Sequence, residues 1–287
     1  MRLPRFEYLR PHSLEEACSM LDEHTGQAKV MAGGTDVLVE LKKRGGGKPR
    51  YVVGLRGIPG LDTVHFDPQV GLRVGSMATF AKLARADVVR KRFPLLWEAA
   101  RIFSRPQIRH AGTLVGNLCN ASPAADAVPP LLALQAKVRV VSARGERLVE
   151  AESFCEGPFQ TVLAPTEIVA ELIVPAPSER SGWSYQRATK RTAEDEALAV
   201  AAVCLEFSDG NCTVGKGRIA LASVASKPMR ARGAEVLIQG KQLDEDLARE
   251  AADLAAREIN PRSRAEYRRL MTAYLVKKSL LEAGSRN

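Results

Sequence analysis

With 287 residues, 45 % apolar and 26 % charged, the chain has enough apolar material for two buried cores, which argues against disorder. Its net charge of +9 does not mark a nucleic-acid binder: 42 Lys and Arg are scattered among 33 Asp and Glu, with only brief clusters such as Lys42-Lys43-Arg44 and Arg90-Lys91-Arg92 and few interleaved aromatics. Solvated faces or an acidic partner surface account for the excess. Cys18, Cys119, Cys155, Cys204 and Cys212 form no CxxC pair and no metal-ligand spacing, and their odd number favours a reducing compartment. MRLPRFEYLRP has no apolar leader and no run approaches a membrane span, so the expected location is the cytoplasm.

Phe6 to Tyr8 reads as a short strand, and Ser13-Leu-Glu-Glu16 as a capping box in which Glu16 returns to the Ser13 backbone. The helix through Leu21 puts Leu14, Ala17 and Cys18 on one face, making Cys18 a core thiol. Val30-Met31 is a strand end, Gly33-Gly34 a tight turn, and Thr35 or Asp36 the N-cap of a helix carrying Val37, Leu38 and Leu41. Strand, glycine turn and helix start make an anion site, because free N–H groups and a Cβ-free approach suit a pyrophosphate. Gly45-Gly46-Gly47-Lys48-Pro49 lacks the first glycine and the Ser/Thr of a P-loop and reads as a flexible turn. Tyr51 to Leu55 returns as a strand, completing a β-α-β unit. G-x-G-x-x-G is missing and Arg56 stands where an acidic ribose ligand is wanted, so a nicotinamide cofactor is not held in the Rossmann manner.

From Ile58 the pattern changes to a hairpin, Thr63 to Phe66 and Gly71 to Gly75 around Asp67-Pro68-Gln69, with His65 a surface or strand-face residue. Thr79 caps a helix through Leu83, and Pro94 opens another carrying Leu95, Leu96, Ala99 and Phe103. Arg109 to Ala136 is rich in small residues, so its backbone approaches something closely. Thr113, Gly116 and Asn117 offer hydroxyl, amide and bare N–H groups, and Asp126 an acceptor for a hydroxyl; the alternative is a structural loop before the apolar run Val128 to Leu134. Ser104, just upstream, is a further candidate contact, His110 a loop residue, and Cys119 a small packing group. Two glycine-containing stretches in one chain, one suited to phosphate and one to sugar or ring, point to a dinucleotide.

Lys137 to Val141 and Arg147 to Glu150 form a hairpin, Ile168 to Val174 a strand with Leu172 in the core, and Pro175 to Gly182 a domain boundary. Strands follow around Tyr185 to Arg187, Ala197 to Phe207 and Val214 to Val224, with Asp209-Gly210-Asn211 as a turn. Helices start near Ala234, Asp244 and Arg264. Tyr267, Leu270, Met271, Tyr274, Leu275 and Leu281 share a face of the last one, which reads as core, and Lys190 by itself reads as a solvated lysine.

AGGTD at 32–36, RPQIRHAGT at 105–113, TLVGNLCNASPAAD at 113–126, YQRATKRTAEDEALAVAAV at 185–203 and AEYRRLMTAYLVKKSL at 265–280 together resemble the FAD-binding medium subunit of the molybdenum hydroxylases, the family of xanthine, nicotinate and carbon monoxide dehydrogenases. The resemblance covers nearly the whole chain; it departs at Val115, where the family commonly has the first glycine of T-I-G-G-N. It implies an α+β fold: a two-part FAD-binding domain over 1–176, made of a small β-α-β subdomain (1–56) and a mixed sheet with helices (57–176), then a smaller domain of antiparallel strands and helices over 183–287. It also implies noncovalent FAD bound by Val30, Met31, Ala32, Gly33, Gly34, Thr35, Asp36, Val37, Ser104, Thr113, Gly116, Asn117 and Asp126, with the backbone near Leu172 against the flavin and Lys190 and Asp195 at its edge.

The resemblance assigns the remaining chemistry to partners: a large molybdopterin subunit that hydroxylates substrate and a small [2Fe-2S] subunit that relays electrons to this chain, with NAD or another molecule as transient acceptor. No residue of this chain is then catalytic and none binds a metal. The other readings are a self-sufficient flavin oxidase or reductase and a flavin-free assembly protein.

Overall fold

The computed structural model describes residues 3–43, 48–191, 196–208 and 213–286. The turns read at Gly45 to Gly47 and Asp209 to Asn211, together with Asp195 and Cys212, lie outside the described residues.

The N-terminal layer runs β1 (Glu7–Leu9), α1 (Leu14–Glu23), β2 (Ala28–Met31), α2 (Val37–Lys42) and β3 (Tyr51–Gly54). Ser13 caps α1 by accepting from the Glu16 N–H at 3.1 Å, while the Glu16 carboxylate accepts from His12 N–H at 2.6 Å, one residue upstream of the partner a capping box names. Ala17, Cys18 and Leu21 pack on Val53 and Leu55. The three strands pair in parallel in the order β1-β3-β2, with Met31 opposite Gly54. Their carboxyl ends therefore open at one edge, where ligands of parallel sheets bind.

The second layer contains β4 (Val64–Asp67), β5 (Gly71–Gly75), α3 (Phe80–Arg85), α4 (Asp87–Arg92), α5 (Pro94–Ile102), α6 (Pro106–Ala111), α7 (Leu114–Cys119), α8 (Val128–Ala133), β6 (Lys137–Ser142), β7 (Gly145–Glu150), α9 (Ala151–Phe154), β8 (Cys155–Gly157), β9 (Gln160–Thr161) and β10 (Ile168–Val174). Five strands form a sheet in the order β4-β5-β10-β6-β7, with Leu172 opposite both Val74 and Val138. Phe80, Leu83, Leu95, Leu96 and Leu131 from the helices fill the core with Leu72, Val138 and Leu172.

The last layer comprises β11 (Ser181–Ala188), β12 (Ala199–Phe207), β13 (Val214–Ala222), β14 (Met229–Arg230), α10 (Arg232–Ile238), α11 (Glu245–Glu258) and α12 (Ala265–Gly284). Strand β12 shows why it is apolar without alternation: Ala199, Ala201, Val203 and Leu205 face the core under α11 and α12, while Val200, Ala202 and Cys204 enter the core of the preceding domain. The sheet is thus buried on both faces, and its inner face is the domain contact.

Helix α12 corrects one reading. Leu275 is buried and Met271 packs on the core as expected, but Tyr267, Leu270, Tyr274 and Leu281 are exposed, and the rest of the buried side is Thr272, Val276, Ser279, Leu280 and Ala283. The alanine-rich face of α11 accepts small residues closely, so the helix docks by its less bulky side; helical period alone does not choose between two partly apolar faces. Among the described residues no helix is long and apolar enough to cross a membrane.

Candidate cofactor site

Strand β2 delivers the chain into the bend Ala32 to Asp36. A Cβ on Gly33 would collide with the Ala111 carbonyl and lie 3.2 Å from Gly112 Cα, so only glycine allows this approach. Gly34 has φ +77°, a left-handed value that aims the following amides away from the strand. The first bond of the helical turn runs from Leu38 N–H to the Gly34 carbonyl at 3.0 Å, so the amides of Thr35, Asp36 and Val37 have no partner within the helix. Asp36 occupies the N-cap position of α2, but its side chain makes no capping bond. A helix start with that position unfilled suits an anion.

The partner of this bend is the turn after α6. Phe80 N–H donates to the Gly112 carbonyl at 3.1 Å and Leu114 N–H to the Ala78 carbonyl at 3.3 Å, which fastens the turn to the start of α3. Thr113 then caps α7, its hydroxyl accepting from Gly116 N–H at 3.0 Å, and Asn117 N–H donates to the Thr113 carbonyl at 3.0 Å. Here the structure differs from the sequence reading: Gly116 and Asn117 belong to a short helix, and their amides are spent on its cap rather than bare. A Thr in extended conformation before a helical turn is a capping signal, and the glycine concealed it.

Between the two bends lies a cavity of about 670 Å3, a size common for cofactor sites. Val30, Ala32, Gly33, Gly34, Thr35, Asp36 and Val37 line it on one side and Thr113, Gly116 and Asn117 on the other. Two further wall residues, Phe80 and Phe103, stack at 3.8 Å with 17° between planes. Ser76 Oγ and Asn117 Oδ1, both on the wall, are buried with no hydrogen-bond partner among the described residues. Orphaned buried oxygens cost stability unless a ligand or water satisfies them, so the cavity suits a hydroxyl-rich and phosphate-bearing molecule.

Cys119 also lines the cavity. Enclosure pushes its thiol up to about 12, with the neighbouring Cys155 adding, so it stays protonated and packs as an apolar group.

Five candidates lie off this wall. Met31 turns its sulfur toward Gly34, where an added Cβ would stand 3.1 Å from Sδ. Ser104 adopts φ +43°, and its carbonyl accepts from Arg109 Nη1 at 2.6 Å. Leu172 is fully buried in β10, whereas Ile168 and Val169 of the same strand reach the cavity. Asp126 is buried against Arg187, with Oδ2 at 3.2 Å from Nη2, and its Oδ1 has no partner among the described residues. Burial pushes its carboxyl up to about 6, opposed by Arg187 and assisted by Glu196. Lys190 is exposed on an adjoining cavity of about 630 Å3, shared with Arg191, Arg262 and Arg268, which meets the first at Ser122, Phe159 and Glu196. Sequence reasoning missed Ser76 and Phe80 as wall residues, and weighed Phe103 only as a helix residue; nothing in a serine after a strand or in an apolar helix position distinguishes wall from core.

What the two bends define is a class, a two-domain α+β chain whose cavity suits a hydroxyl-rich and phosphate-bearing molecule. Known proteins narrow it. The family described as the FAD binding domain in molybdopterin dehydrogenase matches residues 4–177, and the CO dehydrogenase flavoprotein C-terminal domain matches residues 183–283. The nicotine 6-hydroxylase medium subunit of Paenarthrobacter nicotinovorans is 34 % identical over 292 residues, covering 100 % of both chains. The carbon monoxide dehydrogenase medium chain of Hydrogenophaga pseudoflava is 33 % identical, over 99 % of this chain and 98 % of that one. Among solved structures, carbon monoxide dehydrogenase from H. pseudoflava superimposes with TM-score 0.94 at 32 % identity, covering 100 % of this chain and 99 % of that one. Quinoline 2-oxidoreductase from Pseudomonas putida 86 gives 0.92 at 29 %, over 99 % of each chain. The chain belongs to the family of FAD-binding medium subunits of the molybdenum hydroxylases, and it is an FAD-carrying oxidoreductase subunit.

Proposed function

We propose that this chain is the electron-transfer subunit of a molybdopterin-dependent hydroxylase or dehydrogenase. In this reading it takes electrons from the [2Fe-2S] clusters of a small partner subunit, fed by a large molybdopterin subunit, and passes them from flavin to NAD or another acceptor. The observation that carries the reading is the abutment of Gly33 on Ala111 and Gly112, which joins two distant stretches into one cradle. The amides of Thr35 to Val37 then hold the diphosphate, and the turn that Thr113 caps closes the opposite side. The orphaned oxygens of Ser76 and Asn117 meet hydroxyl groups, Asp126 takes a ribityl or ribose hydroxyl, and Phe80 and Phe103 give an apolar wall. Bound FAD supplies the hydride and one-electron chemistry. Lys190, on the adjoining cavity, is a cation that favours an anionic reduced ring.

The relatives' names support a subunit over a self-sufficient oxidase, since those proteins are called medium subunits or medium chains. Their named substrates differ, nicotine in one and carbon monoxide in another, which fits selection of substrate by the large partner. Cys18, Cys119, Cys155 and Cys204 are free thiols, in keeping with a cytoplasmic setting. Purification with the neighbouring subunits tests the proposal: a flavin absorbance spectrum and two copurifying chains carrying molybdopterin and iron are expected. A yellow chain that turns over substrate alone, or a colourless one, would contradict it.

A further inference from the structure

We propose that Arg187 is a positioning residue for the flavin: from the C-terminal domain it fixes Asp126 and the end of α5, so that the cofactor site is complete only when the two domains are docked. The proposal rests on the reading of the first cavity as the FAD site.

Arg187 lies on β11 with its side chain 14 % exposed, and Nη2 stands 3.2 Å from Asp126 Oδ2. Its Nη1 donates to the Ile102 carbonyl at 3.4 Å, the last residue of α5 and the neighbour of Phe103 on the cavity wall. Two residues earlier on the same face of the strand, Tyr185 donates its hydroxyl to the Asp126 carbonyl at 2.9 Å. One strand therefore grips Asp126 through side chain and backbone while bracing the segment that presents Phe103. A planar guanidinium reaches both acceptors at once, which the point charge of a lysine does not.

The free carboxylate oxygen is the second observation. Asp126 is 8 % exposed, Oδ2 faces Arg187, and Oδ1 is enclosed with no donor among the described residues. Arg187 thus fixes Oδ2 and leaves Oδ1 unpaired; Asp126 stands outside the cavity lining, and in this proposal a hydroxyl from the sugar chain of FAD reaches Oδ1 and supplies the missing bond. Among the described residues, the charged and titratable groups that act on Asp126 are Arg187 and Tyr185 of β11 and Glu196, ahead of β12; burial and Glu196 hold the proton on, and Arg187 works against them.

The test is titration of the full-length apoprotein with FAD, followed by flavin fluorescence, across pH 5 to 8. In the wild type, affinity rises as the pH passes about 6, where Asp126 ionises. Asp126→Asn weakens binding on the order of tenfold and flattens the profile. Arg187→Met weakens binding by a similar factor and moves the midpoint to higher pH, because the opposing cation is gone. Arg187→Lys keeps the charge, returns the midpoint to the wild-type value and restores part of the affinity; it carries the test if the Met variant does not fold. A purely structural arginine would lower the melting temperature of its variants without moving the midpoint, and that result overturns the proposal. Unchanged FAD affinity in Asp126→Asn also overturns it. Gly33→Val separates the two levels: loss of FAD there leaves the site reading intact, whereas normal binding sinks the site reading itself.

Discussion

Two contacts of the molecule are made by opposite means, one on the cavity wall and one off it. Gly33 meets Ala111 and Gly112 backbone to backbone, with no side chain between them, while Asp126 meets Arg187 through a buried ion pair across the domain boundary. The first leaves amides facing open space and tolerates no added atom. The second tolerates a change of atoms but depends on charge, and so on pH. Under the proposed function, recognition of the diphosphate is a matter of shape and closure of the domains a matter of electrostatics.

The sharpest way to break the comparison is Gly33→Val. Its side chain must displace the Ala111 carbonyl, which parts the two bends; the expected product is a folded, colourless chain, destabilised by about 1–3 kcal/mol from overpacking. Flavin absorbance of the purified variant, beside its far-ultraviolet circular dichroism, checks this.

The electrostatic contact predicts a pH signature of similar size. Folded Asp126 titrates near 6, whereas an unfolded aspartate titrates near about 3.9, so folding takes up a proton between those values. The folded state binds more protons than the unfolded one in that window, so apoprotein stability falls as pH rises through it. The loss from this group reaches about 3 kcal/mol by neutral pH. Urea unfolding of the apoprotein should show the decline, and its difference from Asp126→Asn should shrink by that amount between acid and neutral pH. A pH-independent difference would rule the titration out.

Smaller effects sharpen the contrast. Tyr185→Phe removes the donor to a buried carbonyl and should cost about 1–2 kcal/mol by denaturant midpoint, with a smaller loss of FAD affinity than Asp126→Asn. Thr113→Ala removes the α7 cap, costs about 1 kcal/mol and weakens FAD binding modestly, since the cap helps shape the second bend.

The two contacts also differ in how far the sequence announces them. Gly33-Gly34 after an apolar strand end and before a cap residue declares a bend whose backbone must be bare, and the sequence reading places it on a phosphate. Nothing local to Asp126 announces Arg187, because pairs of this kind are made by tertiary packing between strands and loops far apart in the chain. The same limit explains α12, where Tyr267, Leu270 and Tyr274 look like core by period and size but the small side chains of α11 select the opposite face. It explains α7 differently: the sequence offers Thr113 as a ligand group, and the structure makes it first of all a helix cap, a role any short hydroxyl residue before a helical turn can take. Ser76 shows no signal in the sequence, since its place on the wall depends on where β5 ends relative to the second bend.

A crystal structure of the FAD-loaded chain tests the central claim most directly. The diphosphate should lie between the two bends, within hydrogen-bond distance of amides from Gly34 to Val37 and in contact with the Thr113–Asn117 turn. Density for the diphosphate in the adjoining cavity beside Arg262 and Arg268, with the space between Gly34 and Gly116 empty, would contradict it.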